Sequence, residues 1–272
     1  MSPAYSRKPT VLVLALLCFA AALAAHDTWL VPAQFRVTPG EPVRVALNTS
    51  EDFPSSEAAA TPDRIARFEV VGAGGRRPVT GYRVEGNALV AEVTPGAGLT
   101  LVATVTKPRL IVLEQEIFNT YLREEGLEPI LAARTARGQT YAEGRERYSK
   151  IAKLALCADS SAEQRRYREP LGLRLEIVPL TNPCGLRAGD VLVVRVLFEG
   201  RPLVHAWVAA GTAGTHGHHS PFRQTTDADG RVIVPLDRSG AWFVRALHMV
   251  PSTEFADADW QSWFSTFTFA VE

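Results

Sequence analysis

Five stretches in the first part of the chain alternate apolar and polar residues: Gln34–Val37, Pro42–Leu47, Ile65–Val70, Leu89–Val93 and Leu99–Val105. A period of two places one side of each segment on a core and the other in water, so each predicts a β-strand. Pro39-Gly40, Gly72 to Gly75 and Pro95-Gly96 supply turn signals at intervals suited to a sandwich. The run from Glu51 to Pro62, rich in Ser, Ala, Pro and acids, reads as a loop.

From Glu114 to Leu156 the composition shifts to Glu, Arg, Ala and Leu, which favours helix. Phe118, Tyr121 and Leu122 stand at helical spacing, as do Arg145, Tyr148, Ile151, Ala152 and Ala155. Gly126 and Gly138 interrupt the pattern, so two or three helices are expected. Strand patterns return at Leu173–Val178, Asp190–Phe198, Leu203–Ala210, Arg231–Leu236, Ala241–Met249 and Ser265–Val271, with hairpin turns at Glu199-Gly200 and Asp227–Gly230. The expected fold is mainly β: two β-sandwich regions joined by a short helical segment, divided as 26–113, 114–168 and 169–272. The phrasing from Gly189-Asp190 to Gly240 resembles immunoglobulin-like, carboxypeptidase-regulatory-like domains. No internal repeat is visible.

Residues 1–25 have a different organisation. Arg7 and Lys8 precede an apolar run from Val11 to Leu23, and Ala22, Ala24 and Ala25 follow the A-x-A pattern of a secretory signal peptide. The run is shorter than the ~20 residues of a spanning helix, which disfavours an uncleaved anchor. Cys18 lies inside it without the small residue before it that a lipoprotein needs. The mature chain is therefore expected in the periplasm or outside the cell, with no membrane insertion. Cleavage after Ala25 would make His26 the first residue, so that its α-amine and imidazole Nδ1 could chelate a divalent metal. The amine, with a reference pKa of ~7.7, releases its proton at little cost. Cleavage one residue earlier would leave Ala25 in front and remove that chelate.

Charge changes the picture little. The chain has 29 basic and 29 acidic side chains, which argues against a nucleic-acid partner. Loss of the leader removes Arg7 and Lys8 and no acid, leaving 27 against 29 and a net charge of −2. Cys157 and Cys184, an even pair outside the leader, predict one disulfide between the helical segment and the following β region. Their spacing is unlike that of a thiolate metal site.

Histidine distribution is more informative. None lies between Asp27 and Val204, and five occur in the last third. His216-Gly217-His218-His219 reads as a loop that either collects metal or is simply solvated. His248 ends a strand, where a ligand could face the loops, or where a histidine could merely cap the sandwich. His205 reads as a structural strand residue beside Trp207. The serine elbow, the H-E-x-x-H helix, the P-loop and the dinucleotide fingerprint are all missing, so common enzyme chemistries lack a signature. Asp257 and Asp259 read as solvated loop acids.

Several fragments together carry a family resemblance: His26-Asp27-Thr28-Trp29-Leu30, Phe118–Leu127, Arg145–Lys150, Pro170–Leu180, Leu247-His248-Met249 and Asp259–Phe269. In this order they resemble a secreted bacterial family, domain of unknown function 4198, catalogued as a periplasmic component of cobalt and nickel uptake systems. The resemblance spans essentially all of the mature chain. It implies periplasmic metal handling, with His26 and His248 on the family's histidine-bearing motifs and His216–His219 in a variable loop. His26-Asp27-Thr28 lacks the third-position histidine of the square-planar amino-terminal copper and nickel motif, so His248, and a carboxylate such as Asp27, would complete the site.

The expected function is that of a non-catalytic protein that binds Ni²⁺, Co²⁺ or Cu²⁺ through His26, His248, Asp27, His216, His218 and His219 and presents it to a membrane transporter. An immunoglobulin-like adhesion or carbohydrate-binding module, with Trp29, Trp260 and Trp263 as a sugar platform, is the alternative. A copper-dependent oxidative enzyme is a third reading, for which no substrate surface is legible.

Overall fold

Pairing of the alternating segments produces one long sheet that both β regions share, in a computed structural model that describes residues 26–158, 165–216 and 220–272. The leader expected at 1–25, together with His218 and His219, lies outside the described residues. The first region contains β1 (Asp27–Pro32), β2 (Val43–Ser50), β3 (Asp52–Phe53), β4 (Ile65–Gly72), β5 (Gly75–Pro78), β6 (Arg83–Glu85), β7 (Ala88–Val93), β8 (Leu99–Thr106) and β9 (Arg109–Leu113). Helices α1 (Gln115–Glu124) and α2 (Glu128–Ala136) follow, then β10 (Gly144–Cys157). The rest contains β11 (Leu175–Pro179), β12 (Val191–Phe198), β13 (Arg201–Pro202), β14 (Trp207–Thr212), β15 (Thr215–His216), β16 (Phe222–Thr225), β17 (Arg231–Pro235), β18 (Gly240–Pro251) and β19 (Trp260–Val271).

The long sheet runs β16-β14-β18-β19-β10-β8-β4-β5, with β9 on the first half of β10. Strand β10 joins the two regions. It pairs in parallel with β19, from Glu146 opposite Trp260 to Leu154 opposite Thr268, and antiparallel with β8 at Ala155 to Cys157. A smaller sheet, β1-β2-β7-β6, covers one face. Strands β11, β12, β13 and β17 cover the other. Alternate residues of β10 accordingly enter different cores: Ala152, Leu154 and Leu156 meet the β1-β2-β7 layer, while Ile151, Ala155 and Cys157 meet the β11-β12 layer.

This arrangement corrects the helical reading of residues 144–157. A strand covered on both faces reads as a continuous apolar run, and its spacing then mimics a buried helix. The segment is nevertheless long, and two sheets bury it. Among the described residues, α-helix is confined to α1 and α2. Two further readings change: Gln34–Val37 makes only an isolated bridge, Arg36 to Cys157, and the strand expected from Leu203 begins at Trp207. His205 lies before it, exposed, with φ of 56°.

Helix α1 buries Phe118, Tyr121 and Leu122, which pack with Ile130, Leu247, Met249, Trp260 and Phe264. The helices thus extend the cover over the same sheet face as β1. Gly126 ends α1 at φ +70°, and a Cβ there would stand 2.1 Å from the Trp207 ring. Both the left-handed backbone and the close ring require glycine. The expected disulfide is present: Cys157 at the end of β10 is bonded to Cys184 in the β11–β12 connection.

Candidate functional site

The expected first mature residue, His26, immediately precedes β1, whose position is set by contacts far away in sequence. Thr266 and Thr268 of β19 donate side-chain hydrogen bonds to the Thr28 and Leu30 carbonyls, each at 2.6 Å. Trp29 packs with Phe53 and Phe243, ring centroids 5.1–5.4 Å apart, tying β1 to β3 and β18. Edge-to-face and tilted aromatic contacts of this kind add directional packing to area burial. The result fixes His26 against the acidic loop that follows β2.

There, His26 Nε2 lies 3.3 Å from Glu51 Oε1, and Nδ1 lies 3.7 Å from Glu57 Oε2. Nδ1 is buried and makes no hydrogen bond among the described residues. The imidazole side chain is 6% exposed, whereas those of Glu51 and Glu57 are 39% and 51% exposed, so the carboxylates connect the ring to solvent. Ser50 Oγ donates to the other Glu57 oxygen at 2.8 Å. The short pairing of β15 with β3 sets His216 opposite Asp52, and His216 Nδ1 lies 2.9 Å from Asp52 Oδ1. Two expected ligands, His26 and His216, are thereby brought to the two sides of Glu51-Asp52.

Beneath His26 is a buried polar network. Lys150 Nζ donates to the His26 carbonyl at 2.6 Å and lies 3.5 Å from the Phe264 ring centroid. Arg245 Nε is 3.1 Å from Asp27 Oδ2, and its Nη2 donates to Glu125. Tyr121 Oη and Ser262 Oγ donate to Glu146. Burial pushes the Glu146 carboxyl up to about 7, and burial lowers the Lys150 ammonium to about 8 despite the opposing pull of Asp27 and Glu146. Desolvation penalises each charged form. The Asp27 carboxylate therefore lies in an ion pair with Arg245 beneath the surface.

His248 does not join this group. Along β18, Arg245, Leu247 and Met249 face the helices, so His248 faces the β11-β12 layer, as strand alternation requires. Its ring centroid is 4.4 Å from that of Phe198, and burial lowers its pKa. His26 and His248 are consequently on opposite faces of the long sheet. Trp29, Trp260 and Trp263 are core residues, at most 3% exposed, and form no sugar platform. Asp257 and Asp259 are not simply solvated: they pair with Arg147 and Arg145.

Sequence reasoning missed Glu51, Glu57, Glu146, Lys150 and Arg245. A signal was present for the last two, because a charge set in an apolar strand needs a buried partner. Among the described residues, no three His, Cys, Asp or Glu side chains converge closely enough to hold an ion alone, and no helix is long and apolar enough to cross a membrane.

The wider comparisons add little about activity. No curated protein matches. Similar solved structures include the D0-D1 domain of intimin, 9% identical, covering 89% of this chain and 97% of that one, with a TM-score of 0.22. A two fibronectin type-III domain segment from chicken tenascin is 10% identical over 88% of this chain and 98% of that one, with a TM-score of 0.21. The Yersinia pseudotuberculosis adhesin InvE is 12% identical over 90% of this chain and 59% of that one, with a TM-score of 0.23. Residues 23–250 match a single family, from the expected cleavage region through His248 to Val250, and the chain belongs to that family, Domain of unknown function (DUF4198).

Proposed function

We propose that the protein is a periplasmic carrier of a divalent transition metal, Ni²⁺, Co²⁺ or Cu²⁺, held at His26 and passed to a membrane transporter. The observation that carries this reading is the His26 imidazole set between Glu51 and Glu57, with its buried Nδ1 making no hydrogen bond among the described residues. Once the leader is removed after Ala25, the α-amine would lie on the same residue and complete a chelate with Nδ1. Amine and imidazole nitrogens with carboxylate oxygens form a mixed donor set suited to these borderline ions. His216, docked beside the site by Asp52, would deliver metal from the loop. Asp27 and His248 take no ligand role in this reading, because one is paired with Arg245 and the other faces the opposite core.

Intact mass and metal content of the secreted chain test it together. The expected result is a chain beginning at His26 with about one metal bound. His26→Ala should weaken Ni²⁺ binding about tenfold or more. An alanine inserted before His26 should do nearly the same while leaving the imidazole in place. Unchanged affinity in the extended protein would remove the α-amine from the site; unchanged affinity in His26→Ala would remove the site itself.

A further inference from the structure

Next to the His26 pocket, between the β2–β4 connection and β9-β10, is an open cavity of about 440 Å³. Its lining contains Arg64, Arg109 and Lys150 and no aspartate or glutamate. Arg64 is half-buried and Arg109 exposed, and neither forms an ion pair among the described residues. Burial lowers the Arg64 pKa, and the charge of Arg109 pushes in the same direction. The charge of Arg109 also reaches the Tyr148 hydroxyl, lowering its pKa against the larger effect of burial. Of the acids flanking this segment, Glu57 accepts from Ser50, while the exposed Asp63 interacts with the charges of Lys107 and Arg64. Two guanidinium groups near enough to repel one another, on a cavity wall without a carboxylate and with Asp63 as the one acid whose charge reaches Arg64, form a receptor for negative charge.

From these observations we infer that the cavity binds a small organic polycarboxylate, its carboxylates on Arg64 and Arg109 and its carbon skeleton against Ala58–Ala60 and Leu110–Val112. A fork of N–H donors matches a carboxylate in two places at once, which a point charge does not. The volume and the apolar wall favour an organic anion over inorganic phosphate, which would leave most of the space unfilled. This site is independent of metal at His26, although Lys150 touches both.

Titration calorimetry on the metal-free secreted chain, with citrate and with inorganic phosphate as probes, decides the matter. Citrate is expected to bind, more weakly as sodium chloride is raised, and more tightly than phosphate. Arg109→Ala and Arg64→Ala should each weaken citrate about tenfold, and Arg109→Lys should recover only part of that loss. Arg109 is exposed, so its variants are expected to melt like the parent, which separates lost binding from lost folding. Absence of citrate binding, tighter binding of phosphate, or affinity indifferent to Arg109→Ala would overturn the assignment.

Discussion

Strand β10 carries two buried lysines three residues apart, and they have opposite characters because they enter opposite cores. Lys153 faces the β11-β12 layer and pairs with Glu176 at 3.0 Å. Glu176 also accepts backbone N–H groups from Leu171, Gly172 and Leu173, so its oxygens are saturated. This is a closed, structural ion pair. Lys150 faces β1 and the helices, among Asp27, Glu125, Glu146 and Arg245, and reaches the His26 carbonyl. There the carboxyl of Glu146 and the ammonium of Lys150 are both displaced toward neutral pH. Burial holds the Lys153 ammonium below its usual range as well, so what separates the two lysines is that Lys150 lines an open cavity while Lys153 is enclosed with its partner.

The largest break in this contrast should come from the closed pair. Glu176→Gln leaves Lys153 charged and buried and weakens the capture of three N–H groups, so urea unfolding should show a loss of about 3–5 kcal/mol. Equal stability in that variant would mean that the pair is not a structural unit. Next, replacing Cys157 and Cys184 by serine releases the end of β10 on the same side and should cost about 2–4 kcal/mol by denaturant titration.

The helix-facing side should respond to pH instead. Glu146 titrates near 7 in the folded chain and at its ordinary 4.5 when unfolded. Between those values the folded chain keeps a proton that the unfolded chain has lost, so stability present at low pH declines as pH rises through about 7. Glu146→Gln should flatten this slope, worth on the order of 1–3 kcal/mol across the window. Lys150 acts above that range, its cost complete below about 8 and fading toward 10.5. A slope that persists in Glu146→Gln would place the responsible group elsewhere. The smallest effect should be Asp257→Asn, which breaks an exposed pair with Arg147 and should leave the urea midpoint nearly unchanged.

Much of the fold was legible along the chain. Alternation at 43–47, 65–70, 89–93 and 99–105 corresponds to strands because each of these segments has local neighbours and a consistent covered side. Glu199 and Gly200, both at positive φ, make the hairpin turn that their order predicts. Helix α1 and the Cys157–Cys184 bond were likewise readable. The candidate site was legible only in its histidines. Glu51 and Glu57 look like ordinary solvated acids in a loop, and nothing near them in sequence announces an imidazole. Lys150 and Arg245 were hidden inside strands whose apolar neighbours dominated the pattern.

Local residue order thus determined the mainly β class, the turns and the two helices' general location, since each depends on contacts or dihedral preferences within a few residues, and the count of cysteines outside the leader was enough to name the bonded pair. Tertiary structure decided that 144–157 is a strand, because only a cover on both faces distinguishes it from a buried helix. It also decided where the histidines lie. His26 is set against Glu51 and Glu57 and His216 against Asp52, while the two-residue period of β18 turns His248 into the other core. The β10–β19 and β3–β15 pairings join residues more than a hundred positions apart, and local periodicity does not encode such partners.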